Sequence, residues 1–136
     1  MVNDKKNILK YPQIYDLAVI GGGPGRMAAA IKAHDLGIEK TVLIERDTLL
    51  GGILTQCIHG GFGLKILKQE LTGPEYSEIF ITQLLKTGSD IMLNTMALSI
   101  ESNENNYIIN AANKVSGFFY IYAKSIVLAL GCRERT

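Results

Sequence analysis

Between Ile20 and Met27 the chain reads Gly21, Gly22, Gly23, Pro24, Gly25, Arg26. A phosphate needs close approach to backbone N–H groups, and a helix N-terminus supplies them with a partial positive charge, provided no side chain stands between. Glycines ahead of a helix leave that approach open. In the pattern GxGxxG the first glycine makes a tight turn, the second admits a pyrophosphate and the third lets the helix pack on the strand. Gly21 and Gly23 take the first two places; Arg26 stands in the third, so the strict pattern is broken, although Gly25 lies one position earlier. Glu45 follows Gly21 by 24 residues, where a carboxylate accepts hydrogen bonds from ribose hydroxyls. The competing reading is a plain tight turn and a solvated loop carboxylate. Strand, glycines, helix and acid together favour a dinucleotide.

Arg26 works against that site. A cation in the first helical turn opposes the helix dipole by about 0.3–1 kcal/mol, and its Cβ adds bulk where helix nears strand. It could instead pair with a pyrophosphate, charge on charge. Charge does not remove the steric reason for a glycine, so impaired binding is the expectation.

The elements that must position these residues follow from hydrophobic patterning. Tyr15 to Ile20 is a short apolar run, the signature of a buried parallel strand. The alanine-rich MAAAIKAHDLG predicts a helix that stops at Gly37, and Thr41 to Ile44 a second strand, which closes a βαβ unit before Glu45 and Arg46. Residues 46 to 73 are glycine-rich and aperiodic, a long irregular connection with one helical turn expected near Leu64 to Leu71; connections of that length are usually functional. Pro74 to Leu85 predicts a helix ended by Gly88, before a strand at Asp90 to Leu93. Runs at Met96–Ser102, Tyr107–Ala111 and Gly117–Ala123, with turn residues between them, predict an antiparallel meander. Ile126 to Leu130 is apolar throughout and predicts a separate central strand covered on both faces. The fold class is α/β: a Rossmann-like parallel sheet with a three-stranded antiparallel meander crossover. Residues 1–14 form a polar lead and 15–136 one cofactor-binding domain.

Composition narrows the partners. With a formal charge of +1 over 136 residues there is no basic excess to concentrate nucleic acid or anionic lipid. The first dozen residues lack the apolar segment of a secretory signal, and no later run reaches membrane-spanning length, so a cytoplasmic protein without membrane contact is expected. Cys57 and Cys132 form no CxxC pair and predict neither a zinc site nor a disulfide framework.

The stretch from Tyr15 to Glu45, the pair Gly51 and Gly52, the meander and the closing IVLALGCRERT together resemble the FAD domain of the pyridine-nucleotide-disulfide oxidoreductase superfamily. More narrowly, GGILTQCIHGGFG, ELTGPEY and GCRERT resemble a bacterial subgroup of NAD(P)/FAD-dependent oxidoreductases, relatives of sarcosine-oxidase-like flavoproteins that often accompany glycerol metabolism. The resemblance implies FAD as cofactor, with Gly21, Gly23 and Pro24 at the pyrophosphate and Glu45 and Arg46 at the adenosine. It puts Gly51 and Gly52 beside the cofactor, and Ala129 and Gly131 in an ATG-like turn that touches it. Where that family reads GGGPAG, this chain reads GGGPGR. The family continues past GCRERT into an NAD(P)H domain, so the chain is expected to be incomplete and to work with a companion chain, to self-associate, or to be a non-catalytic remnant with impaired cofactor affinity.

Disulfide reductases carry CxxxxC after a similar double glycine, but this loop offers Cys57 alone, which rules out a dithiol relay. Cys57 reads as a small hydrophobe, and His59 as a satisfied loop residue ahead of a proton donor. Glu75 and Tyr76 of ELTGPEY fit a helix start with an acid in its first turn. The flavin carries the hydride chemistry in such proteins, and no catalytic side chain is named.

Overall fold

A computed structural model of the chain describes residues 13–131. The polar lead as far as residue 12 and the end of the GCRERT motif, with Cys132, lie outside the described residues. In chain order the elements are β1 (Ile14–Ile20), α1 (Pro24–Asp35), β2 (Thr41–Ile44), a 3-10 helix (Gly52–Gln56), α2 (Gly73–Lys86), β3 (Asp90–Met92), β4 (Met96–Ser102), β5 (Tyr107–Asn113) and β6 (Gly117–Leu128). They build one six-stranded sheet in the order β3-β2-β1-β6-β5-β4. The β3-β2-β1-β6 half is parallel. The β6-β5-β4 half is the expected antiparallel meander.

Strand alternation divides the core between two faces. Leu17, Val19 and Leu43 pack with Met27, Ala30 and Ala33 of α1 and Leu84 of α2. On the other face Tyr15, Ala18, Ile20, Val42 and Ile44 pack with Ile109, Ala111, Ile121 and Ala123 from the meander. Met27, Leu43 and Leu84 are fully buried, and each such side chain contributes about 1.5–3 kcal/mol of burial free energy. These contacts hold the β1 terminus and the start of α1 against β2, where the glycine turn lies.

The α2 start is fixed locally. Thr72 caps it by accepting from the Glu75 N–H, and the Glu75 carboxylate in turn accepts from the Thr72 N–H, a capping box with Pro74 in the first turn. Gly37 just past α1 has φ +91°, the left-handed geometry of a helix stop. Tyr15 donates a 2.6 Å hydrogen bond to Asp90 Oδ2 and so ties β1 to β3 across β2. Burial, then that bond and the Asp90 charge, push the phenol well above its ordinary range.

Two expectations need correction. Gly117–Ala123 and Ile126–Leu130 are not separate strands: β6 runs unbroken from Gly117 to Leu128. Its first half pairs with β5, and from Tyr122 onward it pairs with β1. The polar pair Lys124 and Ser125 does not interrupt it, because Lys124 Nζ meets Asp16 Oδ1 on β1 at 3.0 Å. That contact, with the Lys40 N–H and charge, holds the Asp16 carboxyl below its usual range. Among the described residues nothing covers both faces at the strand end, where Leu128 is 56% and Leu130 69% exposed.

The connection at 46–73 is irregular, as expected, apart from the 3-10 helix and a bridge between Phe62 and Leu71. The helical turn near Leu64 reduces to a single Leu67 N–H to Gly63 C=O bond at 2.8 Å within that bridged loop.

Candidate cofactor-binding site

β1 ends at Ile20, and the Gly21 N–H donates to the Ile44 C=O at 2.7 Å, so the turn starts in register with the end of β2. Gly23 is the N-cap of α1, without a side-chain cap, and no acid stands in the first turn. The positive end of the helix is therefore met by no carboxylate of its own first turn.

The space around the turn is set by what a methyl group would meet at each glycine. At Gly21 it would overlap Cδ and Nε of Arg26, at Gly23 it would lie 2.8 Å from Arg26 Nη1, and at Gly131 2.7 Å from Arg26 Nη2. At Gly52 it would lie 3.1 Å from Gly23 Cα and 4.0 Å from Arg26 Nη1. The glycines picked out in three separate segments thus converge on one small volume at the helix N-terminus. The Arg26 side chain lies in it, its stem over Gly21 and its guanidinium between Gly23, Gly52 and Gly131. None of the ion pairs among the described residues involves Arg26.

Gly22 has a different role. A methyl there would meet Glu45 Oε2 at 2.5 Å and Leu50 Cδ2 at 2.8 Å. Glu45 is buried, with 5% of its surface exposed, and its Oε1 accepts from the Asp47 N–H at 2.9 Å. Its backbone is held too, by its N–H to Met92 and by Thr95 N–H to its C=O. It is a fixed, enclosed carboxylate beside the turn, not a solvated one. The Gly51 N–H donates to the Gly22 C=O at 2.7 Å, which brings the second glycine pair against the first.

Other expected residues are placed less tightly. Gly25 is exposed with nothing within 4 Å of an added methyl. Arg46 is exposed, its Nε 3.9 Å from Asp47. Ala129 is half-buried just beyond β6. Cys57 follows the 3-10 helix, its Sγ 3.4 Å from the Ile53 C=O. His59 is exposed on the loop and contacts the Gly60 C=O and the Phe62 ring. Tyr76 stacks on Phe62 and meets Phe80 edge to face, and Glu75 is the capping residue; both serve the helix start.

Sequence reasoning missed Gly73. A methyl there would overlap the Leu54 C=O and stand 2.6 Å from the Cys57 C=O. The glycine is what lets α2 abut the 3-10 helix and so hold Gly51 and Gly52 in place. Its signal was its place between a cap residue and a proline. Ser77 was missed as well: its hydroxyl is buried without a partner among the described residues, and a methyl on Gly51 would meet it at 2.5 Å. No cluster of metal-ligating side chains occurs among the described residues, and no helix there is long and apolar enough to cross a membrane.

Comparison with known proteins bears on this arrangement. The chain is 29% identical over 128 residues to hydrogen cyanide synthase subunit HcnB of Pseudomonas protegens, covering 87% of this chain and 24% of that protein. It is 31% identical over 120 residues to a ferredoxin–NADP reductase of Leuconostoc citreum, covering 88% of this chain and 34% of that one. The structure superposes on L-proline dehydrogenase from P. horikoshii with a TM-score of 0.76 and 25% identity, over 88% of this chain and 23% of that chain. The chain thus spans only about a quarter to a third of the curated relatives it matches. Residues 16–90, from β1 through α2 to the first residue of β3, match the FAD dependent oxidoreductase family. With its glycine turn, buried acid and parallel sheet all within or beside the matched segment, the chain belongs to the family of FAD dependent oxidoreductases.

Proposed function

We propose that the chain binds the ADP part of FAD and serves hydride or electron transfer as one portion of an FAD-dependent, NAD(P)-linked oxidoreductase. The observation that supports this most is the convergence of Gly21, Gly23, Gly52 and Gly131 on one volume at the uncapped start of α1. A volume walled by bare backbone at a helix N-terminus suits a diphosphate, and it fits the cofactor once the Arg26 side chain leaves it.

In this reading Gly21, Gly23 and Pro24 face the pyrophosphate, Gly22 keeps the turn compact against Glu45, and Gly25 lies in the first turn of α1 beside it. Glu45, enclosed beside Gly22, accepts from the ribose hydroxyls, and Arg46 stands at the adenosine edge. Gly51 and Gly52 close the opposite wall, and Ala129 and Gly131 bound the cradle where β6 ends. The flavin, when bound, supplies the redox chemistry; the chain binds the cofactor and orients it. NAD(P)H is the proposed reductant, bound by residues other than these. A companion chain fits the likeness to a protein named as a subunit.

Titration of the purified chain with FAD, followed by flavin fluorescence and with ADP as competitor, tests the reading. Saturable binding that ADP reverses is expected; binding indifferent to ADP, or none, refutes it. A second reading, a non-catalytic module with impaired cofactor affinity, is favoured by Arg26 lying in the cradle. NAD(P)H oxidation by the FAD-saturated chain together with a co-purifying companion chain separates the two: turnover supports the first reading and its absence the second.

A further inference from the structure

We propose that Arg26 is a resident plug of the cradle: in the free chain its side chain fills the space a cofactor diphosphate takes, and the cofactor binds only by displacing it. The inference rests on the FAD reading above and adds to it a residue that sets affinity.

The placement of the side chain carries the argument. Methyl groups built on Gly21, Gly23 and Gly131 would each collide with a different part of Arg26: the stem, one guanidinium nitrogen and the other. One side chain therefore lies against the turn, the helix start and the end of the β6 segment together. Because Cδ and Nε already lie over Gly21, turning the guanidinium aside does not clear the volume; the whole side chain must rotate from its root in the first turn of α1.

Displacement is feasible on electrostatic grounds. A guanidinium at an uncapped helix N-terminus sits among like partial charges, and none of the ion pairs among the described residues anchors it. An entering dianion can therefore take its place. Among the described residues the guanidinium is held by packing against backbone and by none of the ion pairs, so the plug weakens binding without abolishing it. The plug acts on ligands that carry the diphosphate, FAD and ADP, and leaves riboflavin, which has none, unaffected.

The test compares dissociation constants of FAD, ADP and riboflavin for the natural chain, Arg26→Ala and Arg26→Met, with melting temperatures to show that each variant folds. Arg26→Ala is expected to bind both FAD and ADP about tenfold more tightly, a difference of about 1.4 kcal/mol. Arg26→Met keeps the length and drops the charge, so it is expected to bind no more tightly than the natural chain. Equal or weaker binding of FAD and ADP by Arg26→Ala overturns the plug and leaves the FAD reading standing, with Arg26 as a diphosphate partner when affinity falls. Tight binding by Arg26→Met as well overturns the steric plug, since a side chain of about the same length still stands in the cradle. No binding of FAD or ADP by any variant overturns the FAD reading, and the plug with it.

Discussion

Two sets of glycines surround the end of β1, and they differ in what stands against them. Methyl groups on Gly22, Gly51 and Gly73 would meet fixed parts of the fold: the Glu45 carboxylate and Leu50, the Ser77 hydroxyl, and the Leu54 and Cys57 carbonyls. On Gly21, Gly23 and Gly131 they would meet chiefly one flexible side chain, Arg26, and on Gly25 nothing at all. The first set is needed for the fold to close. The second surrounds a volume that the fold itself does not require to be bare. Gly21 (φ +112°) and Gly131 (φ +69°) also need glycine for their own backbone conformation, whereas Gly23, with φ −75°, has its reason in something the backbone must approach, and that separates a binding surface from mere tight packing.

Substitutions probe the difference, and the largest loss of stability is expected within the first set. Gly73→Ala drives a methyl into two backbone carbonyls that cannot turn aside. A cost of about 2–4 kcal/mol is expected, read as a lower urea midpoint, because overpacking against backbone forces the segment to shift. A Gly73→Ala chain with an unchanged midpoint would erase the distinction between the sets. Tyr15→Phe, outside both sets, calibrates the scale: losing the Asp90 bond should cost about 1–2 kcal/mol. The phenol pKa is raised in the folded chain, so its contribution is complete below the pKa of an unfolded tyrosine, about 10, and is lost as pH rises beyond it. Alkaline unfolding curves should therefore converge for the natural chain and Tyr15→Phe, while neutral ones differ.

The legible parts of the molecule are those where local pattern and tertiary role coincide. β2 and β4 fall where the apolar runs predict them, α2 starts and stops within a residue of its predicted bounds, and α1 stops near Gly37 as predicted but starts at Pro24, three residues ahead of the alanine-rich run. β6 was illegible because a strand can change partners midway. Lys124 and Ser125 read as a break, yet one meets Asp16 and the other pairs with Leu17 of β1. The exposure of Leu128 was illegible for another reason: an apolar run does not reveal which faces have neighbours. At the site, the sequence marked the glycines, Glu45 and the anomaly at Arg26. It gave no sign that the arginine turns back over Gly21, because side-chain direction depends on the convergence of Gly52 and Gly131 from distant segments.

The second set sharpens the comparison at smaller amplitude. Gly25→Ala places a methyl in open space on the first turn of α1. It should raise stability by about 0.5–1 kcal/mol through helix propensity and a less disordered unfolded chain, opposite in sign to Gly73→Ala.

Gly23→Ala is expected to have the smallest effect on stability and is the most discriminating. Gly23 has φ −75°, which alanine adopts without strain, and its methyl would meet the far end of Arg26 at 2.8 Å, a contact relieved by moving that end. The folding midpoint should shift by no more than about 0.5 kcal/mol, as at a site free of core contacts. FAD and ADP affinity should nevertheless fall about tenfold or more, since the methyl stands where phosphate oxygens approach the backbone. Doubling this change with Arg26→Ala separates wall from plug: removing the arginine restores stability lost to the clash but not affinity, because the added methyl still blocks the wall. Full recovery of affinity in the double variant would mean that Gly23 matters only as room for Arg26, and that Gly23 belongs with Gly22 and Gly51 among the glycines required by the fold.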